Sequence, residues 1–341
     1  MLKLPRLCAR TRLRWLILPS RITVVLTLAV ISIPAGADTW RGRELEALWR
    51  KAAWHVGPFR IQPAIVLSNM GVDSNVYYSP TEPIKDYTLT VGPAVNVYLP
   101  IYRKLILSAY GSPQYVYYAK TAQERTWNYY FSGSAALSLK RIFLSFDWKY
   151  SDAQERWNTE IDIRPRRKEE GLGGSFLIQT STRTSLALGY RQAKYNYENL
   201  DYQTFNIREE LNRKEQYVDL LAYYQVTSRT KFFLDFEHGL FNFEFADAAA
   251  LKNSQSQAAY VGLEFSPTGR IRGKARIGYK IFDVKNLEAT DYQGVVGDAQ
   301  VSVRVAKPLA VRASYSRDVI FSLWYNNPYY LGSTIGPGAS I

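Results

Sequence analysis

Five bases share one parity over a short run: Arg270, Arg272, Lys274, Arg276 and Lys280. Ile271, Gly273, Ala275, Ile277, Tyr279 and Ile281 hold the other parity. Side chains of a β-strand alternate between its two faces, so the run would carry its positive charge on one face only. Fixed cations that border water attract anions and bias which ions pass. The same row would instead be a structural ladder if neighbouring strands supplied acids, and Glu264, Asp298 and Asp283 are close in sequence. Five bases outnumber these acids. The row is therefore a candidate anion path, with Glu264 and Asp298 as its partial partners.

Other polar groups suggest less. Arg164, Arg166, Arg167 and Lys168 form a basic cluster that reads as an extracellular loop, suited to lipopolysaccharide phosphates or an acidic polysaccharide. Glu169 and Glu170 adjoin it, so a solvated, self-paired loop is the competing reading. Asp73 and Asn75 offer two oxygen ligands, far short of the 6–8 that calcium takes, and a turn is the better expectation. The only histidines are His55 and His238. His238 shares its parity with Phe232, Leu234, Phe236 and Leu240, away from Asp235 and Glu237, which removes the obvious general base. No metal-ligand cluster, phosphate-binding glycine loop or nucleophile elbow is readable. The expectation is a non-enzyme without metal or cofactor.

The segments that must position the basic row repeat its alternation along nearly the whole chain. Ile142, Leu144, Phe146, Trp148 and Tyr150 alternate with Phe143, Ser145, Asp147, Lys149 and Ser151. Such runs are long for soluble strands, which average about 5–6 residues, and match a tilted strand crossing a bilayer. A charge on the lipid face costs about 2–4 kcal/mol at the midplane, so the basic row must face a lumen. Asp147, Lys149, Arg191, Asp219, Asp235, Glu237, Arg304 and Arg312 would face it too. The 26 tyrosines and 8 tryptophans cluster at segment ends, as in the aromatic girdles of outer-membrane barrels.

The start of the chain carries an export signal. Lys3, Arg6, Arg10, Arg12, Arg14 and Arg21 precede an apolar run from Ile22 to Ile33, then Ala35-Gly36-Ala37. This pattern predicts a signal peptide over 1–37; the run is too short for a spanning helix, which needs about 20 apolar residues. Removing its six bases from the formal charge of +13 leaves about +7. The sole cysteine, Cys8, lies in the leader, so no disulfide framework is expected. Nucleic acid is not an expected partner. Leu45, Leu48, Trp49 and Ala52 recur at helical spacing, predicting a short periplasmic helix in a segment over 38–58 that Pro58 ends.

From 59 to 341 the chain reads as an all-β, up-and-down, antiparallel transmembrane barrel of about fourteen strands, or sixteen in a complete chain. Turns near 140–141, 181–183 and 227–229 are short, whereas stretches near 79–86, 158–168, 198–215 and 244–253 are long and polar. Short turns mark the periplasmic end and long loops the extracellular end. A propeller has a similar period but packs four strands into it. The last strand reads as 329–335, cut at Gly336-Pro337-Gly338, with a closing hairpin missing.

Gly71-Val72-Asp73-Ser74-Asn75-Val76-Tyr77 ends the first long strand. With the leader, the loop rhythm and Ser145-Phe146-Asp147-Trp148-Lys149-Tyr150, it resembles the type 2 β-barrel porin family of outer membranes. Asp73, Asn75 and Tyr77 carry the likeness most sharply. The resemblance implies a Gram-negative outer-membrane protein often associated with exopolysaccharide biosynthesis and export. The functions to expect are a porin-like channel for polar or anionic solutes or saccharides, or a non-conducting accessory barrel of an export machine. A rim enzyme is a third reading. Partners to expect are outer-membrane lipids and lipopolysaccharide, the barrel-assembly machinery, and polysaccharide or export components.

Overall fold

In the computed structural model the residues described are 41–340, apart from 43–45, 47–48, 51, 78–81, 102–103, 157–159, 161–162, 267–269, 287–288, 306–308 and 325–326. The leader and Leu45 and Leu48 lie outside the described residues. Strands β1 (Trp54–Val56), β2 (Phe59–Asp73), β3 (Asp86–Ile101), β4 (Leu105–Tyr118), β5 (Thr126–Ser138) and β6 (Ile142–Gln154) come first. Next are β7 (Arg166–Gln179), β8 (Thr184–Tyr197) and a small loop hairpin, β9 (Asp201–Tyr202) with β10 (Phe205–Asn206). Then follow β11 (Arg213–Thr227), β12 (Thr230–Phe243), β13 (Ser254–Phe265), β14 (Ile271–Val284), β15 (Tyr292–Arg304), β16 (Ala310–Phe321) and β17 (Tyr329–Ser340).

All but the loop hairpin form one fifteen-stranded sheet in sequence order, each strand antiparallel to the next. Alternation fixes the register, because a one-residue slip would turn every apolar side chain inward. Thus Leu234 is exposed at 63%, Phe236 at 56% and Ile277 at 58%, while their neighbours Asp235, Glu237 and Phe233 are buried. Outward apolar and inward polar faces are what a barrel wall in lipid requires.

Side-chain contacts show the curl of the sheet. The Arg213 guanidinium on β11 lies 5.1 Å from the Phe321 ring on β16, five strands further along the sheet. In a flat sheet, with strands about 4.8 Å apart, these positions would be roughly 24 Å apart. Glu160, between β6 and β7, accepts from the Leu323 amide beyond β16 at 2.9 Å, so far-separated parts of the wall meet across the long-loop end. Among the described residues no ladder joins β17 to β1 or β2.

Four segments differ from their sequence reading. Trp54-His55-Val56 pair with Phe59–Ile61 as a hairpin, so the helical part of the first segment stops before Pro58 is reached. The long loops at 198–215 and 244–253 hold short helices, Ile207–Leu211 and Ala246–Lys252. The last strand continues through Gly336-Pro337-Gly338, with Pro337 opposite Ala313. Pro337 lacks an amide hydrogen, which is tolerated where the other side of the strand has no ladder to supply.

Candidate functional site

The middle of the lumen on β8–β16 is an ion-pair lattice. Arg191 on β8 grips Asp219 on β11 with two donors, at 3.0 and 3.1 Å, and reaches Glu237 on β12 at 2.7 Å. Arg276 on β14 donates to Asp235 at 2.9 Å and also binds Asp298 on β15. Lys280 donates to both oxygens of Asp318 on β16, at 2.6 and 2.8 Å. Glu237 lies within 4.0 Å of three cations, Arg191, Arg276 and Lys280. Lower on the wall, Glu264 sits between Lys274, at 3.6 Å, and Lys231, at 4.0 Å. Aromatic rings back the cations: Tyr260 lies 4.2 Å from Arg276, and Tyr217 lies 4.6 Å from Arg191. Low dielectric around such a lattice makes each unpaired member costly.

The basic row is therefore divided. Lys274, Arg276 and Lys280 are engaged by acids, whereas Arg270 and Arg272 are exposed and pair with no carboxylate among the described residues. Two further arginines join them at the short-turn end. Arg272 lies opposite Ser302, and Ser302 lies opposite Arg312. The Arg304 amide bonds to the Arg270 carbonyl at 2.8 Å. Arg270 and Arg304 face each other on adjacent strands, where Cβ atoms are about 4.5–5.5 Å apart and like charges repel, while Arg272 and Arg312 flank Ser302 from its two sides. Arg270, Arg272, Arg304 and Arg312 thus form a concentrated positive patch on three neighbouring strands.

The opposite wall has a different character. Ser108 bonds Ser134 at 2.6 Å, and Ser145 bonds Ser175 at 2.7 Å. Thr88, Thr90, Ser112 and Asn128 face inward with them and carry no charge. Near the short-turn end, Ala136, Phe143, Leu177, Ala187, Tyr223 and Phe233 form an apolar cluster inside the barrel. Gly262 has no side chain because a Cβ there would strike the Phe233 ring. Arg41, in the N-terminal helix, donates to the Tyr223 hydroxyl at 3.1 Å, so this segment reaches the inner surface of the wall.

The long-loop end is capped by its own loops. Phe321 packs on Phe241, Phe243 and Phe282, while Leu323, fully buried, packs with Phe205, Ile207 and Leu211. The Ser322 hydroxyl donates to Glu160 at 2.9 Å. Lys252 of one loop helix is buried against Glu210 of the other and binds its carboxylate and, at 3.3 Å, its carbonyl. Burial pushes the Lys252 ammonium below its ordinary pKa, outweighing the opposing pull of Glu210. Asp86 ties down another loop, accepting from Tyr87, Lys120 and Thr121.

The basic cluster expected in a loop belongs largely to a strand, since β7 begins at Arg166. Arg166 pairs with Asp152, and Arg167 pairs with Glu169 at 2.8 Å while stacking on Tyr195 at 4.8 Å. Arg164 lies over the Tyr118 ring at 4.9 Å, which leaves Lys168 as the exposed member of the four. The Arg164 and Arg167 guanidinium groups lie over tyrosine rings, so extended backbone persists where a run of charge suggested a loop. Asp73 accepts from the Asn75 amide at 3.0 Å, closing a turn, and the Tyr77 hydroxyl donates to Glu124 at 3.1 Å. His238 lies opposite Val218 and Gln257 on the outward parity of β12, and His55 is exposed on β1. No group of three or more metal-ligating side chains is found among the described residues.

Sequence reading missed Asp235, Glu237 and Asp318 as partners of the row. The parity of Asp235 and Glu237 was legible, but they sit two strands from Arg276 and meet it only because the wall curves.

Residues 51–328 match the family model described as "Putative beta-barrel porin 2". No curated protein matches the chain. Among solved structures, the siderophore receptor PirA from Pseudomonas aeruginosa is similar at 12% identity and a TM-score of 0.38, covering 79% of this chain. This chain spans only 44% of that receptor. A Rh. blastica porin mutant matches at 9% identity and a TM-score of 0.33, over 81% of this chain and 98% of the porin. Salmonella typhi OmpF, in complex with daunomycin, matches at 9% identity and a TM-score of 0.35, over 83% of this chain and 98% of OmpF.

Proposed function

The chain belongs to the family described as "Putative beta-barrel porin 2", and from that premise we propose that it is an outer-membrane channel for small polar, preferentially anionic, solutes or saccharides. Export would use the 1–37 leader, cleaved on the way, and insertion would use the barrel-assembly machinery. Passage is diffusive and needs no catalytic group or cofactor.

One observation carries the anion preference: the positive patch of Arg270, Arg272, Arg304 and Arg312 at the short-turn mouth. The ion-paired lattice above it is nearly balanced, so the mouth supplies the excess charge. Clefts lined by one sign of charge concentrate the opposite ion. In planar bilayers under a KCl gradient, the reversal potential should indicate anion preference. Arg272→Glu combined with Arg312→Glu should move it toward cations; an unmoved potential would reject the patch as a selectivity element.

A second reading is a non-conducting accessory barrel of a polysaccharide export machine. The loop cap built on Phe321, Leu323 and Glu160 favours it. Absence of any steady current from correctly inserted barrels would select this reading over the channel.

A further inference from the structure

The wall is split at one place. β14 and β15 pair up to Phe282 opposite Tyr292, and β16 and β17 pair up to Phe321 opposite Tyr329. Between β15 and β16, however, pairing stops at Gly297 opposite Arg317. Tyr292–Val296 therefore has no ladder on its β16 side. The reason lies in β16. Val311 and Tyr315 are exposed on the outer face, yet Val319 and Phe321, of the same parity, pack against Phe241 and Phe282 inside the barrel. Above Arg317 the strand rolls inward and leaves its neighbour behind.

Cavities flank the split on both sides. Outside it is an apolar cavity of about 480 Å³, lined by Val261, Ile277, Val295, Ala299, Tyr315 and Arg317 among others. Inside it is a cavity of about 160 Å³ that Lys280, Asp318 and Phe321 border. Arg317 stands at the split and donates its Nε to the Val295 carbonyl at 3.3 Å, replacing part of the missing ladder. A guanidinium has five N–H donors, and this one meets no carboxylate among the described residues. A cation on the lipid side of a barrel wall is costly unless an anion meets it.

We propose that the split between β15 and β16 is a lipid site: Arg317 binds a phosphate of lipopolysaccharide, and one acyl chain of its lipid A lies in the outer apolar cavity. Charge complementarity selects a lipid whose phosphates carry net negative charge. The position of the split selects the leaflet, because Tyr292–Val296 lies toward the long-loop, extracellular end. Arginine suits the role through its fork of donors, which matches phosphate geometry. This site is on the outer wall and stands whether or not the lumen conducts.

Native mass spectrometry of the delipidated barrel, titrated separately with lipid A, phosphatidylglycerol and phosphatidylcholine, tests it. The expected result is one lipid A retained per barrel, with about tenfold preference over phosphatidylcholine, as a charge-assisted pairing would give. Arg317→Gln should remove that preference, and Arg317→Lys should restore part of it. Ala299→Trp, which fills the cavity, should abolish retention while leaving the heat-resistant gel mobility of the folded barrel. If Arg317→Gln does not fold, Ala299→Trp alone decides. Unchanged lipid A retention in the folded variants would overturn the site, and stronger retention of phosphatidylglycerol would overturn the choice of lipopolysaccharide.

Discussion

Replacing Lys252 with Met should undock the two loop helices over the long-loop end. The Lys252 side chain is fully buried, and Glu210, only 4% exposed, is its ion partner. Removing the cation leaves a buried carboxylate uncompensated, which costs about 3–5 kcal/mol. At 1.4 kcal/mol per factor of ten, the undocked fraction should rise by roughly two to four orders of magnitude. Limited proteolysis of intact outer membranes reads this directly, through the rate of cleavage after Arg208. The same loops should give a noisier, larger current in single-channel records. Replacing Glu210 and Lys252 together by Met removes both charges and should restore near-native resistance, because a buried pair exchanged for apolar groups is close to neutral. A Lys252→Met barrel as resistant as the native one, or a double variant as labile as the single, would refute the reasoning.

Further outcomes follow from the two faces of the wall. Leu234→Arg places a charge on the lipid face and should cost about 2–4 kcal/mol near the midplane, measured by urea unfolding in vesicles; Ser132→Arg, on the inward face, should be tolerated and change conductance instead. Arg276→Met strands Asp235, Glu237 and Asp298 with weakened compensation, and should cost about 3–5 kcal/mol in the same assay. Phe233→Ala empties a packed position beside Gly262 and should cost about 3–5 kcal/mol, less if neighbours collapse into the gap.

Much of this architecture was legible because a period of two carries both burial and register. The segments 184–197, 230–243 and 292–304 begin and end in the structure where alternation of residue types places them. What escaped reading depends on curvature or on twist. Glu237 meets Arg191, Arg276 and Lys280 from three different strands, and no linear pattern announces a meeting across a lumen. The inward roll of β16 reverses the facing of Val319 and Phe321, so parity, read correctly to Arg317, misleads beyond it. The start of β7 was hidden by Arg166-Arg167-Lys168, whose charge suggested solvent, whereas Arg166 pairs with Asp152 and Arg167 lies over two tyrosine rings. For the site, parity placed the basic row inward, but only the pairing pattern separates its ion-paired upper part from the exposed Arg270 and Arg272.

Cysteine scanning along β5 and β6 gives the most direct test of a wall with water on one side and lipid on the other. Cys8 is the only native cysteine, so Cys8→Ser provides a clean background. A charged, membrane-impermeant thiol reagent should label cysteines at Ser132, Ser145 and Lys149 and spare those at Phe131, Phe146 and Trp148. Labelling that ignores this alternation would contradict the account.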